Sequence, residues 1–308
     1  MSERGEFLVR FWGVRGSYPV PGPSTAQYGG NTPCVEVQVN GQRIILDAGT
    51  GIIGLGKKLM GEFAAGRGEG KISVVLLISH THYDHIQGLP FFLPAHSGEG
   101  ILHIFGPAAM TGEFGDALTR AMLPAYSPLC LDELRSTKVI RSLQESHVVL
   151  LGPEDSEPRV LEAVRDQTQL PAGHVLIRAM RSYSHPKGGT YVFRVEAEGK
   201  SVVYATDTEG YVGGDARLIA FARGTNLLIH DAQYTTSEYL DPQAPKQGYG
   251  HSTVDMAVDV AKAAGAQQLV LFHHDPDHDD NAVREMEAYA RRLFPATDAA
   301  REGSVYRL

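Results

Sequence analysis

Hydrophobic residues along this chain fall mostly in short runs, and the runs are of different kinds. Ile72–Ser79 (ISVVLLIS) is continuously β-branched and aliphatic, the mark of a strand buried on both faces. Shorter apolar runs at Ile101–Phe105, Val175–Met180, Thr190–Glu196, Ser201–Ala205, Leu227–His230 and Gln268–Phe272 also predict strands. Cys34–Val39 and Arg43–Leu46 flank Asn40-Gly41, a pair that accepts the positive φ angles of a tight turn, so these segments predict a hairpin. Helical patterns cover Ile52–Phe63, Asn281–Leu293 and Thr253–Ala264, the last with a start signal at Ser252-Thr253. An apolar opening stretch, Phe7–Val14, runs into a Gly/Pro-rich segment from Gly13 to Pro33 that is too long for an idle connection.

Between Ala108 and Gly173 the pattern is less sharp. It predicts a helix over Thr111–Leu123, strands at Lys138–Arg141 and Val148–Leu151, and a helix over Arg159–Arg165. No repeat, low-complexity tract or linker divides the chain. Residues 1–308 therefore read as one domain, with 108–173 as an insertion or lid within it. Strands separated by helices, with hairpins mixed in, predict an α/β layered fold with mixed sheets.

Charge narrows the partners. Twenty-eight basic against 36 acidic residues leave a net charge of −8, which disfavours sequence-blind binding to long nucleic acid. Cys34 and Cys130 rule out a CxxC zinc ribbon and a disulfide scaffold, and read as buried small residues. With no apolar run of ~18 residues and no apolar core in MSERGEFLVRF, no membrane span or signal peptide is expected, and the expected location is cytoplasmic.

Histidine changes the picture. There are 13, and His80-Thr81-His82-Tyr83-Asp84-His85 follows the buried strand directly. Just past a strand end, side chains two apart project to the same side, so His80 and His82 can reach one metal together. Asp84 and His85, in the turn that follows, can serve a second metal beside it. Imidazole nitrogens with carboxylate oxygens suit zinc, and also manganese or iron.

This HxHxDH run, followed by Gly88, resembles the signature of the metallo-β-lactamase superfamily. The resemblance extends over nearly the whole chain. Asp47 in Leu46-Asp47-Ala48-Gly49-Thr50-Gly51 is similar to the family's strand-ending LDxGxG element. It implies an αβ/βα sandwich of two mixed β-sheets flanked by helices, with a binuclear site at one edge. It further implies that the first metal takes His80, His82 and His185, that the second takes Asp84, His85 and His273, and that Asp207 bridges them. His174 competes with His185, and His274 and His278 with His273. Spacing to the following strand favours His185, and the strand-end position favours His273. His103, inside a strand, reads as structural.

Within the superfamily, Ile104-Phe105-Gly106-Pro107, Leu228-Ile229-His230-Asp231-Ala232 and Gly250-His251-Ser252-Thr253 resemble the phosphodiesterase branch, which includes ribonuclease Z and cyclic-phosphate phosphodiesterases. By that resemblance Asp231 and His251 form a catalytic pair that protonates the leaving alkoxide, and Asp84 orients water as well as binding metal. The implied cofactor is a pair of divalent ions, zinc first. The expected function is hydrolysis of phosphodiester bonds in small cyclic nucleotides or related cyclic phosphates. The alternatives are a tRNA 3′-processing endoribonuclease, whose basic arm has no counterpart in this sequence, and a lactonase or other carboxyl-ester hydrolase on the same metal platform. A non-catalytic binding module is disfavoured because the full ligand set and the proton-donor pair are present. Arg15 and Asn31, in the long N-terminal loop, are expected to contact phosphate or base. A homodimer is expected by analogy with the branch.

Overall fold

The computed structural model describes residues 6–66, 70–108, 113–127, 129–153, 155, 157–163, 170–211 and 213–308. Two mixed sheets pack face to face. The first contains β1 (Phe7–Gly13), β2 (Cys34–Val39), β3 (Gln42–Leu46), β4 (Ile72–Leu77), β5 (Gly100–Pro107) and β6 (Thr137–Leu143) in chain order, with the final strand β15 (Val305–Arg307) along β1. In the second the order is β14 (Thr297–Ala299), β13 (Gln268–Phe272), β12 (Leu227–Asp231), β11 (Lys200–Ala205), β10 (Thr190–Ala197), β9 (Val175–Ser182), β7 (His147–Leu151) and β8 (Arg159–Glu162).

The main core lies between the sheets, where Phe11, Val37 and Leu77 from one meet Phe193, Tyr204 and Phe272 from the other. A second apolar layer packs α1 (Gly51–Ala64) and α3 (Phe114–Ala121) on the first sheet; α2 (Tyr83–Ile86) is a single turn after β4. A third packs α4 (Ala216–Phe221), α6 (Val254–Ala264) and α7 (Asp280–Leu293) on the other, and α5 (Thr236–Tyr239) is again a single turn. This αβ/βα layering is the architecture expected from the resemblance.

Local chemistry explains the elements read correctly. Asn40 and Gly41 take φ of 50° and 78°, as the hairpin turn requires. Thr253 accepts a hydrogen bond from the Met256 N–H and so starts α6. Two expectations in the middle section change. Arg159–Glu162 is a strand, not a helix: it pairs antiparallel with β7, and edge pairing outweighs its weak helical pattern. Ala163, the next residue of that expected helix, lies in a turn, and 164–165 lie outside the described residues. The helix expected over Thr111–Leu123 spans Phe114–Ala121, and Thr111 likewise lies outside the described residues. Cys34 is buried as expected, whereas Cys130 is partly exposed.

The topology places the chemistry. β3 and β4 run parallel in one sheet, and β11, β12 and β13 run parallel in the other. Asp47, His80, Asp207, Asp231 and His273 all sit at or just beyond the carboxyl ends of these strands, where a parallel sheet leaves an open crevice.

Candidate metal centre

The expected ligands form two clusters at these strand ends, and His251 lies within the same reach of His185 and Asp207 and of Asp231 and His273. The ligand atoms of His80, His82 and His185 lie within 4.8 Å of one another, as do those of Asp84, His85, Asp207 and His273. One carboxylate spans them. Asp207 Oδ1 is 3.1 Å from His85 Nε2 and 3.3 Å from His273 Nε2, while Oδ2 is 3.6 Å from His80 Nε2 and 3.8 Å from His185 Nε2. The structure thus brings together all seven residues expected as ligands.

The hydrogen-bond network assigns the ring tautomers. His85 Nδ1–H donates to Asp47 Oδ2 (2.7 Å), His273 Nδ1–H to Gln233 Oε1 (3.0 Å) and His185 Nδ1–H to the Gly250 carbonyl (3.1 Å). Each therefore turns the lone pair of Nε2 inward. His85 Nε2 then faces Asp207 Oδ1 and Asp84 Oδ2 at 3.1 and 3.2 Å, and makes an aligned hydrogen bond to neither. His80 Nε2 is likewise buried without a hydrogen-bond partner. Buried lone pairs aimed at one another and at carboxylates repel unless positive charge lies between them. The donor set fits divalent cations.

Charge within the site is mutually adjusted. Burial works to raise the pKa of Asp84 and Asp207, but the neighbouring imidazoles outweigh it and hold both well below the usual carboxylate range. Burial pushes His80 and His185 down, so both are neutral and able to ligate.

Three positions hold this arrangement at a backbone cost. Asp47, Asp207 and His273 have φ of 62°, 51° and 63°, each turning the chain just after a strand. Left-handed conformations cost non-glycine residues of order 1 kcal/mol each and gather at functional sites. Supporting contacts fix the side chains. The Ser17 N–H donates to Asp84 Oδ2 (2.9 Å), and Gly16 lies so close to His273 that an added Cβ would sit 2.4 Å from its ring.

Asp231 and His251 meet beside the clusters. His251 Nδ1–H donates to Asp231 Oδ2 (2.8 Å), and the N–H groups of Ser252 and Gln233 donate to Asp231 Oδ1 at 2.9 and 3.2 Å. The His251 ring stacks on that of His273, with centroids 4.9 Å apart and planes 14° apart. Burial lowers its pKa, but Asp231 more than compensates and brings it up to about 9.

The long N-terminal loop reaches the site through residues other than those expected. Arg15 is buried and gives its donors to the carbonyls of Gly29 (2.8 Å), Asp275 (3.0 Å) and His278 (2.5 Å), so it clasps loops instead of facing the clusters. Asn31 bonds Glu302 (3.0 Å) and Thr50 (3.0 Å), so its side-chain bonds likewise run to neighbouring segments and to neither cluster. Gly16 and Ser17, their neighbours, make the contacts. Gln233 and Tyr204 were not singled out in the sequence either; their one signal is proximity to Asp231 and Asp207. Of the competing histidines, His174 bonds the Ala172 carbonyl (3.2 Å), His274 donates to the Ala300 carbonyl (2.9 Å), and His278 pairs with Glu238 (2.7 Å). None of the three joins the clusters. His103 is buried within β5, away from both.

Comparison with known proteins points the same way. The family model described as the β-lactamase superfamily domain matches residues 42–274. Ribonuclease Z of Geobacillus kaustophilus is 28% identical over 251 residues, covering 73% of this chain and 78% of the relative. The metallo-β-lactamase fold protein YhfI of Bacillus subtilis superposes with a TM-score of 0.65 at 19% identity, covering 98% of this chain and 100% of that one. The short form of human tRNase Z superposes at 0.61 with 22% identity, covering 97% and 98%. The histidine and aspartate clusters at the strand ends lie within the matched segment, and the chain belongs to the metallo-β-lactamase superfamily.

Proposed function

We propose that this protein is a binuclear metal-dependent hydrolase of phosphodiester bonds. The observation that carries this reading is the Asp231–His251 pair at 2.8 Å, stacked against His273 beside both ligand clusters. His80, His82 and His185 would hold one ion, Asp84, His85 and His273 the other, and Asp207 both. Zinc is proposed first, with manganese or iron served by the same donors. When bound, two divalent ions lower the pKa of water and offset the charge that develops on phosphoryl oxygens. Asp84, anchored by the Ser17 N–H, orients the attacking water.

An alkoxide leaves from a phosphodiester only if it is protonated or otherwise stabilised. His251, held protonated at neutral pH by Asp231, presents Nε2–H for that transfer, while Nδ1 stays bonded to the carboxylate. A lactone or amide hydrolase has less need of such a pair, and this favours diester over carboxyl ester.

Small cyclic nucleotides are the proposed substrates, on the strength of the net charge of −8. Likeness to ribonuclease Z supports a second reading, cleavage of precursor tRNA. The test is a panel with metal-analysed protein: bis(p-nitrophenyl) phosphate, cyclic nucleotides, precursor tRNA and lactones. Hydrolysis of the generic diester that disappears in Asp207→Ala is expected; turnover of lactones alone overturns the reading.

A further inference from the structure

Next to the first ligand cluster is a cleft of about 200 Å³, bordered by His80 and His82. Arg181 and Lys187 line it as well, and Phe114 and Ala117 of α3 add an apolar wall. Arg181 is held rather than free. Its guanidinium donates to the carbonyls of Gly188 (3.1 Å) and Ala108 and stacks over Tyr191 with 5.0 Å to the ring centroid. Five N–H groups belong to a guanidinium, so donors remain for a ligand. Lys187 is exposed, two residues after the ligand His185.

Neither cation has a carboxylate partner among the described residues, in a protein with eight more acidic than basic side chains. Nearby arginines differ: Arg178 and Arg194 both pair with Glu196 (3.0 and 2.7 Å), and Arg217 pairs with Glu145 (2.5 Å). Two uncompensated cations in one small cleft attract an anion, and a fixed guanidinium fork with a mobile ammonium is a combination suited to phosphate.

We propose that this cleft is a subsite for a second phosphate of the substrate, held by Arg181 and Lys187 while the scissile diester occupies the metal centre. The inference rests on the phosphodiesterase reading and narrows its substrates. A diester with one charged group leaves the subsite unused; a nucleotide with two phosphates, in a linear chain or in a cyclic dinucleotide, fills it. The apolar wall offers surface to the sugar between them.

Binding tests the subsite without turnover. Metal-loaded protein is titrated calorimetrically with uridine 3′,5′-bisphosphate and with the 3′- and 5′-monophosphates. The bisphosphate is expected to bind about tenfold tighter than either monophosphate, and Arg181→Met and Lys187→Met each to reduce that preference to about threefold or less. No preference in the unmodified protein, or a preference that survives in both variants, overturns the subsite. Lys187 is exposed, so Lys187→Met keeps the test alive should Arg181→Met fail to fold. KM values then identify the source of the phosphate. A lower KM for pUpU than for UpU assigns a linear chain, a lower KM for cyclic di-UMP than for 2′,3′-cyclic UMP assigns a ring, and no difference in either pair overturns the proposal. Failure to hydrolyse bis(p-nitrophenyl) phosphate, with the bisphosphate preference intact, sinks the phosphodiesterase reading alone. Turnover of that diester without the preference sinks the subsite alone.

Discussion

His85 Nδ1 and Asp47 Oδ2 lie 2.7 Å apart, and neither side chain is exposed to solvent. Asp47 belongs to neither ligand cluster. Its carboxylate accepts from His85, from the Ser79 N–H and Oγ–H at 2.7 and 2.8 Å, and from the Tyr204 hydroxyl at 2.8 Å. It therefore joins β3, β4 and β11 at one point, and it fixes the His85 tautomer that leaves Nε2 free to ligate.

Asp47→Asn puts an amide where at least one donor now finds an oxygen. Partners that orient a ligating imidazole are worth about 10–100-fold in metal affinity. Chelator competition should show a loss of that size, confined to the ion proposed at His85. An affinity equal to that of the unmodified protein would remove Asp47 from this role.

Gly16→Ala tests the second contact made by the N-terminal loop. An added Cβ would sit 2.4 Å from the His273 ring, and no real side chain tolerates that distance. Either His273 or the loop must shift, and Ser17, which holds Asp84, shifts with the loop. Metal content measured by elemental analysis is expected to fall from about two ions toward one, with activity down about tenfold or more. Full occupancy and full activity would show that the loop yields freely.

How much of this could be read in the sequence depends on distance along the chain. His80, His82, Asp84 and His85 are contiguous and follow a strand visible in its own pattern, so their convergence was legible from the residues themselves. His185, Asp207 and His273 come from separate strand ends, and only the order of family-like motifs joined them. Gly16 and Ser17 carry no such signal, because the loop owes its shape to remote partners. The Gly16 N–H bonds the His274 carbonyl (2.9 Å), and Arg15, which looked like a substrate contact, bonds the carbonyl of His278, 263 residues away. No local periodicity encodes such contacts. The strand at Arg159–Glu162 departs from its helical pattern for a related reason: four residues have too short a pattern to resist recruitment by the edge of β7.

The Glu238–His278 pair, at 2.7 Å, gives stability a pH dependence separate from the metal ligands. Burial opposes charge on both residues. Even so, bonds from His278 and Thr235 take Glu238 down to about 2, and Glu238 raises His278 above its usual 6.5. The contribution of Glu238 is present above its unfolded pKa of about 4.5 and fades as pH falls toward 2. That of His278 is present below about 6.5 and fades as pH rises through its higher folded value. Both act together between about pH 4.5 and 6.5. Glu238 is partly exposed, so screening limits the pair to about 1 kcal/mol. Denaturant titration of Glu238→Gln should show that loss at pH 5.5 and a smaller one at pH 8.5; equal losses at both would show that the pair's charge is not what matters.

His251 sets the final expectation, and the leaving group makes it specific. A p-nitrophenolate departs without a proton, whereas the alkoxide of a ribose needs one. If His251 supplies it from Nε2, His251→Ala loses about 10²–10⁴-fold in kcat on a nucleotide diester and far less on bis(p-nitrophenyl) phosphate. Asp231→Asn should follow the same pattern to a smaller extent, because the ring loses the negative charge 2.8 Å away but stays in place against His273. Elemental analysis must accompany both variants, since the stacked His273 is itself a candidate ligand and a displaced ion would depress both substrates alike. An equal loss on the two substrates with metal content unchanged would mean that His251 acts before the leaving group departs, as a group that binds or positions the diester rather than as its acid.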